Sequence, residues 1–497
     1  MLRRLALALV GGLSLVLAFE PVGASYVVPV SVAAFVLATV GLPASRAWLP
    51  GLVFGIAFCY PLMFWMRVVG YDAWAAMSGV EALFLGLLGA VVALLHRLPA
   101  WPVWVATAWV AVEQVRTSGP LGGMPWGRLS YATADTPWAS ALPYVGQAGL
   151  GFLLALAGSS LAWLVLGPGR RQRFVAGATA GGALALATLP ALAPWTPDTT
   201  GHRTVAVVQG NVPGEGDDIL LDPRQVTQNH VQATIDLGAN IDAGREPRPD
   251  FVLWPENSTA SDPFLDEGLN LGIETAVDAV GVPVLVGAMV DSGPDHVLNQ
   301  GIVWTPGVGA GDRYTKWHPV PFGEYIPWRS FFSGNIGRLA LIPRDMLSGT
   351  RTEPLTVDGT RVADAICFDV AYDDGIHAQL RNGADLLVVQ TSNATFIKTD
   401  QIEQQFEITR LRAIETGRYV AVASTNGVSG IIAPDGTVVD RAEPRTTAVL
   451  VDQVGLSDQV TPAVRIGQWF GRACVAVTVV GLLLALVAYR RPRGEQA

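Results

Sequence analysis

The chain has 497 residues, half of them hydrophobic and only 15% charged, with a formal net charge of −9 and a mean hydropathy of +0.37. That length implies more than one domain, and that hydropathy excludes a wholly soluble protein. No basic tract is long enough to follow a nucleic-acid backbone, so no nucleic acid is expected as a partner, and the three cysteines, of which Cys59 and Cys474 lie inside apolar runs, provide no disulfide framework.

Apolar runs succeed one another at 5–19, 24–42, 48–66, 75–95, 101–115, 146–167 and 174–193, and an eighth covers 472–489. Several approach the roughly 20 residues that a bilayer demands. With Arg3 and Arg4 in the cytoplasm and the runs alternating, the inner loops hold Arg46, Arg97, Arg170, Arg171 and Arg173, and the tail holds Arg490, Arg491 and Arg493. The outer loops hold only Arg67, Arg116 and Arg128. This bias obeys the positive-inside rule and places residues 195–470 outside the cytoplasm, tethered at both ends. The expected plan is a transmembrane bundle over 1–195, an extracytoplasmic domain over 196–470, and a transmembrane helix with a basic cytoplasmic tail over 471–497. Residues 1–25 also fit a cleaved leader through their charged start, apolar run and Val22-Gly23-Ala24; the second apolar run directly behind them favours retention. Glu81 falls inside the fourth run, where a charge costs about 2.5–3.5 kcal/mol, so it sits near an interface or faces a polar cavity. The outer loop 116–146 is rich in Gly, Pro and Trp and contains Gly123-Met124-Pro125-Trp126.

From residue 203 the texture changes to alternating strands and helices. Strands are expected at Thr204–Gln209, Phe251–Trp254, Val282–Val290, Asn299–Thr305, 361–367, Asp385–Gln390 and Tyr419–Ser424. Helices are expected over 222–242, 267–280, 371–381 and 400–416, and a hairpin around Pro434-Asp435-Gly436. The alternation indicates a layered α/β domain, and the paired strands at its end make the sheet mixed.

Three stretches of this domain carry chemistry. The strand leading into Cys367 ends on the only thiol of the polar half; alone, such a cysteine is most often a small buried hydrophobe. Trp254-Pro255-Glu256 closes another strand, since Pro255 has no N–H for the ladder, and this leaves Glu256 at the sheet's rim. Alone, Glu256 reads as a loop carboxylate or helix cap. The stretch from Arg313 to Tyr325 is dense in aromatics, prolines and titratable groups and reads as an irregular functional loop. It contains Lys316, one of only two lysines in a chain that otherwise uses arginine, the other being Lys398. Alone, Lys316 reads as a solvated lysine; if the stretch is extended, it shares a face with His318. Together Glu256, Lys316 and Cys367 form a coherent set. A thiol is mostly protonated at neutral pH, a neighbouring carboxylate can take its proton during attack, and a fixed ammonium can stabilise an oxyanion.

These motifs resemble the Glu–Lys–Cys triad of the nitrilase superfamily. With the apolar bundle before the domain and one span after it, the chain is most similar to the apolipoprotein N-acyltransferase family. The resemblance runs through Val208-Gln209-Gly210-Asn211-Val212-Pro213, Trp254-Pro255-Glu256, Pro321-Phe322-Gly323-Glu324-Tyr325, Ile366-Cys367, the stretch Arg410 to Arg418, and the Gly-x-Pro-Trp of the outer loop. It implies an α/β fold class: a polytopic α-helical membrane bundle of about eight spans with an inserted nitrilase-like αββα sandwich. It implies Glu256 as general base, Lys316 as oxyanion stabiliser, Cys367 as nucleophile and a supporting role for Glu324. It further implies a phospholipid acyl donor, a diacylglyceryl-cysteine lipoprotein acceptor, a thioester intermediate, and no cofactor or metal. A bacterial inner-membrane location and a monomer are expected with it. Residues 116–146 and parts of 319–349 are expected to be mobile arms that gate lipid entry. The chain departs from the family at Phe368-Asp369, where Tyr-Glu is usual, at Ser392-Asn393-Ala394-Thr395-Phe396, and in lacking a tryptophan over 212–230. Phe368 and Asp369 thus become candidate modulators of the cysteine's surroundings.

Three rival readings stand beside it. A membrane-tethered amidase would use the same triad and release its acyl group to water, but eight spans are extravagant for an anchor. A Cys–His enzyme would pair Cys367 with His318 or His377, neither of which lies in a recognisable motif. A transporter or scaffold would have no use for the thiol. Gly427-Val428-Ser429-Gly430 lacks the second glycine of a nucleophile elbow, Gly307–Gly311 lacks a Walker lysine, and six scattered histidines give no zinc spacing.

Overall fold

The computed structural model describes residues 1–330, 339 and 342–490. The expected tail arginines Arg491 and Arg493 and part of the expected arm over 319–349 lie outside the described residues. The chain divides into two compact units, Met1–Pro194 with Ile466–Ala497, and Trp195–Arg465.

The first unit is helical. Its helices are α1 (Leu2–Val16), α2 (Val28–Thr39), α3 (Ala44–Leu62), α4 (Tyr71–Leu95), α5 (Trp101–Ser118), α6 (Leu142–Leu166), α7 (Arg170–Thr188) and a C-terminal helix, Trp469–Arg490. Each corresponds to one of the expected apolar runs. Among the described residues four segments are long and apolar enough to cross a membrane: Tyr71–Leu95, Pro137–Leu166, Arg170–Leu192 and Trp469–Val487. Glu81 faces the interior of this unit, where its Oε2 accepts a hydrogen bond from Arg116 Nη1 at 2.8 Å. Arg116 belongs to the last turn of α5 rather than to the outer loop. It also donates to the carbonyls of Met124 (3.2 Å) and Trp126 (2.6 Å), so it pins the Gly-Met-Pro-Trp segment. Glu113, one turn earlier on α5, accepts from Trp109 Nε1 and the Leu129 amide.

The second unit is a two-sheet sandwich. One sheet holds β1 (Gly201–Gln209), β2 (Phe251–Leu253), β3 (Val284–Asp291), β4 (His296–Thr305), β5 (Gly309–Thr315) and β6 (Asp345–Met346). The other holds β7 (Leu355–Val357), β8 (Thr360–Ile366), β9 (Leu386–Thr391), β10 (Val420–Ser424), β11 (Gly430–Ile432) and β12 (Val438–Arg441). The last strand, β13 (Ala448–Leu456), returns to the first sheet and pairs with β1. Both sheets are mixed: β1–β2–β3 and β8–β9–β10 run parallel, and hairpins flank them.

Each sheet is buried on both faces, as parallel strands require. On β1, Val205 and Val207 point between the sheets, while Ala206 and Val208 face a helical layer. That layer is α8 (Pro223–Asp242) and α9 (Glu267–Val280), whose Leu237, Ile273 and Val277 complete the apolar cluster. On the other side α10 (Asp374–Arg381) packs on β8 and α11 (Gln401–Thr416) on β10. Helix starts follow from side-chain capping: Asp222 accepts from the Gln225 amide, and Asp266 from those of Gly268 and Leu269.

Most expected elements fall within a residue or two of the observed ones; the helix expected over 371–381 starts later, at Asp374. The larger correction concerns the stretch expected to be an irregular loop from Arg313. Residues Arg313–Thr315 end strand β5, paired with β4, and the loop proper begins at Lys316. The strand expected over 361–367 stops at Ile366.

Candidate active site

Three loops meet at one end of the sandwich. The first leaves β2 at Trp254-Pro255 and carries Glu256, which is only 2% exposed. Gly287 on β3 permits this turn, because a Cβ there would lie 2.1 Å from the Pro255 carbonyl oxygen. Three donors fix the Glu256 carboxylate. Lys316 Nζ (3.0 Å) and Asn299 Nδ2 (2.7 Å) donate to Oε1, and the Ser392 amide (2.9 Å) donates to Oε2. Thr425 Oγ1 adds a bond to the Glu256 carbonyl at 3.0 Å.

The second loop leaves β5 and carries Lys316, which is fully buried. Its amide donates to the Asn299 carbonyl at 2.9 Å, so the main chain continues the β4 pairing for one more residue before turning inward. Its ammonium donates to Glu256 Oε1 and, at 2.6 Å, to Glu324 Oε1. Among the described residues these carboxylates are its hydrogen-bond partners, which leaves one of its three N–H donors for a ligand. Burial alone would lower the Lys316 pKa, but Glu256 and Glu324 outweigh it and hold the group charged well above the usual lysine range. Burial raises the Glu324 pKa against the pull of Lys316. The other oxygen of Glu324 accepts from the Val320 amide at 2.7 Å and ties the loop to itself.

The third loop follows β8. Cys367 lies one residue beyond the strand, half-buried, and opens a 3-10 turn over Cys367–Ala371. Its φ of 53° is left-handed, a strain of about 1–3 kcal/mol for a residue with a Cβ. Burial, followed by the Glu256 charge, pushes the thiol pKa up to about 12, against the opposing pull of Lys316 and of a hydrogen bond with Thr391. The resting group is therefore a thiol, and attack requires a base.

Asp369 joins the second loop to the third. Its Oδ2 accepts from the Tyr314 hydroxyl (3.1 Å) and the Trp317 (3.1 Å) and Ile366 (3.3 Å) amides, and its Oδ1 accepts from the His318 amide (2.7 Å). The aspartate that departs from the family pattern thus holds the lysine loop against the cysteine turn. Phe368 is half-buried and meets Tyr372 edge to face, with centroids 5.2 Å apart.

The two histidines of the Cys–His rival have other partners. His318 does not share a function with Lys316: its Nε2 bonds Asp374 Oδ1 at 2.8 Å, and its ring stacks on Tyr372 at 3.7 Å. His377 is buried with its Nε2 3.6 Å from Glu415. Lys398 is a surface residue paired with Glu215 and Asp217. The structure thus brings Glu256, Lys316, Glu324 and Cys367 together, with Asp369 bracing them. Sequence reasoning did not find Asn299, Thr391 or the Ser392 amide; an asparagine within a β-rich strand, level with the lysine, was the available signal.

Residues 11–160 match the family model for the apolipoprotein N-acyltransferase N-terminal domain, and residues 204–460 match that for carbon-nitrogen hydrolase. Proteins named apolipoprotein N-acyltransferase align along nearly the whole chain. That of Mycolicibacterium smegmatis is 36% identical over 97% of this chain and 85% of its own length. That of Methylococcus capsulatus is 31% identical over 94% and 93%, and that of Nitrosomonas europaea 30% identical over 98% and 98%.

Proposed function

This chain belongs to the apolipoprotein N-acyltransferase family, and on that premise we propose that Cys367, Glu256 and Lys316 perform a two-step acyl transfer from a membrane phospholipid to a lipoprotein. The protein is an acyltransferase with a nitrilase-like catalytic domain and apolar helices that suit a bilayer. The single observation that carries the residue assignment is the buried Lys316 ammonium, held by the Glu256 and Glu324 carboxylates.

In the first step the Cys367 thiol attacks the ester carbonyl of a phospholipid, and Glu256 takes the thiol proton as the C–S bond forms. The carbonyl oxygen becomes an oxyanion that the free N–H of Lys316 stabilises. The ester C–O bond then breaks, Glu256 returns the proton to the departing glycerol oxygen, and a lysophospholipid leaves an acyl thioester on Cys367. In the second step the α-amino group of an S-diacylglyceryl cysteine attacks the thioester carbonyl. Glu256 accepts the amine proton, the C–S bond breaks, and Glu256 passes that proton to the departing sulfur, which restores the thiol. Glu324 keeps the ammonium aimed while Glu256 changes charge.

The distribution of arginines supports a catalytic domain on the extracytoplasmic side of the bacterial inner membrane. A single chain carrying a complete site supports action as a monomer. The test is incubation of the purified protein with phospholipid and a diacylglyceryl-cysteine peptide. N-acylated peptide with release of lysophospholipid is expected; hydrolysis of a small amide without peptide acylation would replace this reading with the amidase.

A further inference from the structure

Asp364 is a carboxyl in the catalytic unit's inter-sheet layer whose role the mechanism leaves unexplained. It lies on β8, three residues before Cys367, and its side chain points between the sheets with those of Val362 and Ile366. It is fully buried, and among the described residues no side chain donates to either carboxyl oxygen; the Ala365 backbone N–H is its one neighbouring donor. Beside it on β9 is Gln390, fully buried, whose Nε2 donates to the Trp254 carbonyl at 2.6 Å while its Oε1 has no donor. Opposite both stands Gly301 on β4. A Cβ at Gly301 would lie 2.2 Å from Asp364 Oδ2 and 2.5 Å from Gln390 Oε1, so the two oxygens border one small space that only glycine leaves open.

Two acceptors that converge in a dry layer need a proton between them. The amide orientation of Gln390 is fixed by its bond to Trp254, so its oxygen must face the carboxyl. A bare carboxylate there would set two acceptors against each other and cost several kcal/mol in lost solvation.

We propose that Asp364 is a further positioning residue of this site, kept as a neutral carboxylic acid whose O–H is given to Gln390 Oε1 across the space that Gly301 leaves. Gln390 then holds the Trp254 carbonyl, and through it the Trp-Pro-Glu turn that presents Glu256. The two residues after Gln390 are Thr391, bonded to the Cys367 side chain, and Ser392, whose amide caps Glu256. One neutral acid thus braces both the base and the nucleophile. The charged groups facing Asp364 are Asp369 and Glu256, both acidic; burial first, then Asp369 and Glu256, outweigh the Ala365 backbone N–H and hold its proton well above the usual carboxylate range.

This inference rests on the assignment of Glu256 and Cys367, but its test reads Asp364 directly. Infrared difference spectra of the full-length protein at neutral pH, wild type minus Asp364→Asn, should show a protonated carboxylic C=O band in the wild type. Asp364→Asn, which keeps an N–H for Gln390, should form thioester within a few-fold of the wild-type rate. Asp364→Val should lose about ten- to a hundredfold in that rate, with KM for phospholipid unchanged. A wild type without the band, or an Asp364→Val that is fully active, overturns the proposal. Loss of the thioester from every protein, wild type included, would instead strike the acyltransfer reading and leave the band intact as a result.

Discussion

Both units of this protein bury a basic residue against carboxylates, and the two clusters differ in what the basic group holds. Arg116 gives Nη1 to Glu81 and to two loop carbonyls, those of Met124 and Trp126. A planar guanidinium suits that work, since it satisfies backbone acceptors over a wide fork. Lys316 gives its ammonium to two carboxylates, one of which also faces the thiol, and keeps an N–H in hand. A point charge with rotatable donors suits a site where an oxyanion comes and goes. A buried ion pair with a thiol nearby does not by itself identify a reactive site, because Cys59 lines one cavity with Glu81 and Arg116; what sets Lys316 apart is a rotatable ammonium shared by two carboxylates.

Substitutions at each cluster should separate the two roles. Lys316→Arg retains the charge but replaces the point ammonium with a fork, and should lower thioester formation by about a hundred- to a thousandfold, the scale of losing an oxyanion donor. Its rate is read from single-turnover acylation, and a near-wild-type value would break the contrast. Glu81→Ala should act on the other axis. Stranding Arg116 should cost about 3–5 kcal/mol of stability, visible as a lower thermal midpoint, while the molecules that stay folded acylate at close to the wild-type rate.

Smaller effects sharpen the comparison within the catalytic unit. Asp369→Ala removes the acceptor shared by Tyr314, Trp317, His318 and Ile366 and should slow acylation about tenfold, because each unsatisfied buried donor costs about 1–3 kcal/mol and the loop relaxes to recover part of it. His318→Ala should change the acylation rate least, which distinguishes this site from a Cys–His enzyme. It should show itself in stability against pH. Burial alone would lower the His318 pKa, but Asp374 outweighs it and raises the pKa above its ordinary 6.5, so the pair's contribution from histidine is full below that value and fades as pH rises through the folded one. Burial would raise the Asp374 pKa, but His318 lowers it below its ordinary 3.8, so that contribution is full above 3.8 and fades as pH falls further. The wild-type advantage in thermal midpoint over His318→Ala should therefore peak between these ordinary values and shrink on the alkaline side.

Much of the architecture was legible because its signals are local and periodic. Apolar runs predicted about eight spans, and eight helices stand in their place, four segments among the described residues being long and apolar enough to cross a membrane; strand–helix alternation predicted a layered sandwich. Arg313–Thr315 was misread as loop because its alternation is masked by charged and polar residues on a short edge strand, while pairing with β4 supplies the missing order. Glu256, Lys316 and Cys367 could be chosen from motif and residue type, but their convergence depends on three loops separated by about fifty residues or more in sequence, a matter of topology alone. The roles of Asn299, Ser392 and Asp364 were not legible in the same way, although Ser392 lies in a stretch compared with the family. The first two act through one side-chain amide and one backbone N–H, and Asp364 is notable only because the opposite strand offers it a glycine instead of a donor.

The central claim is that Cys367 carries the acyl group between donor and acceptor. Intact-mass measurement of the purified protein after incubation with a phospholipid tests it most directly, with Cys367→Ala alongside. A fatty-acyl increment on the wild type, absent from the variant and discharged by a diacylglyceryl-cysteine peptide as that peptide becomes N-acylated, is the predicted result. An increment that persists in Cys367→Ala, or no increment with any phospholipid, would contradict it.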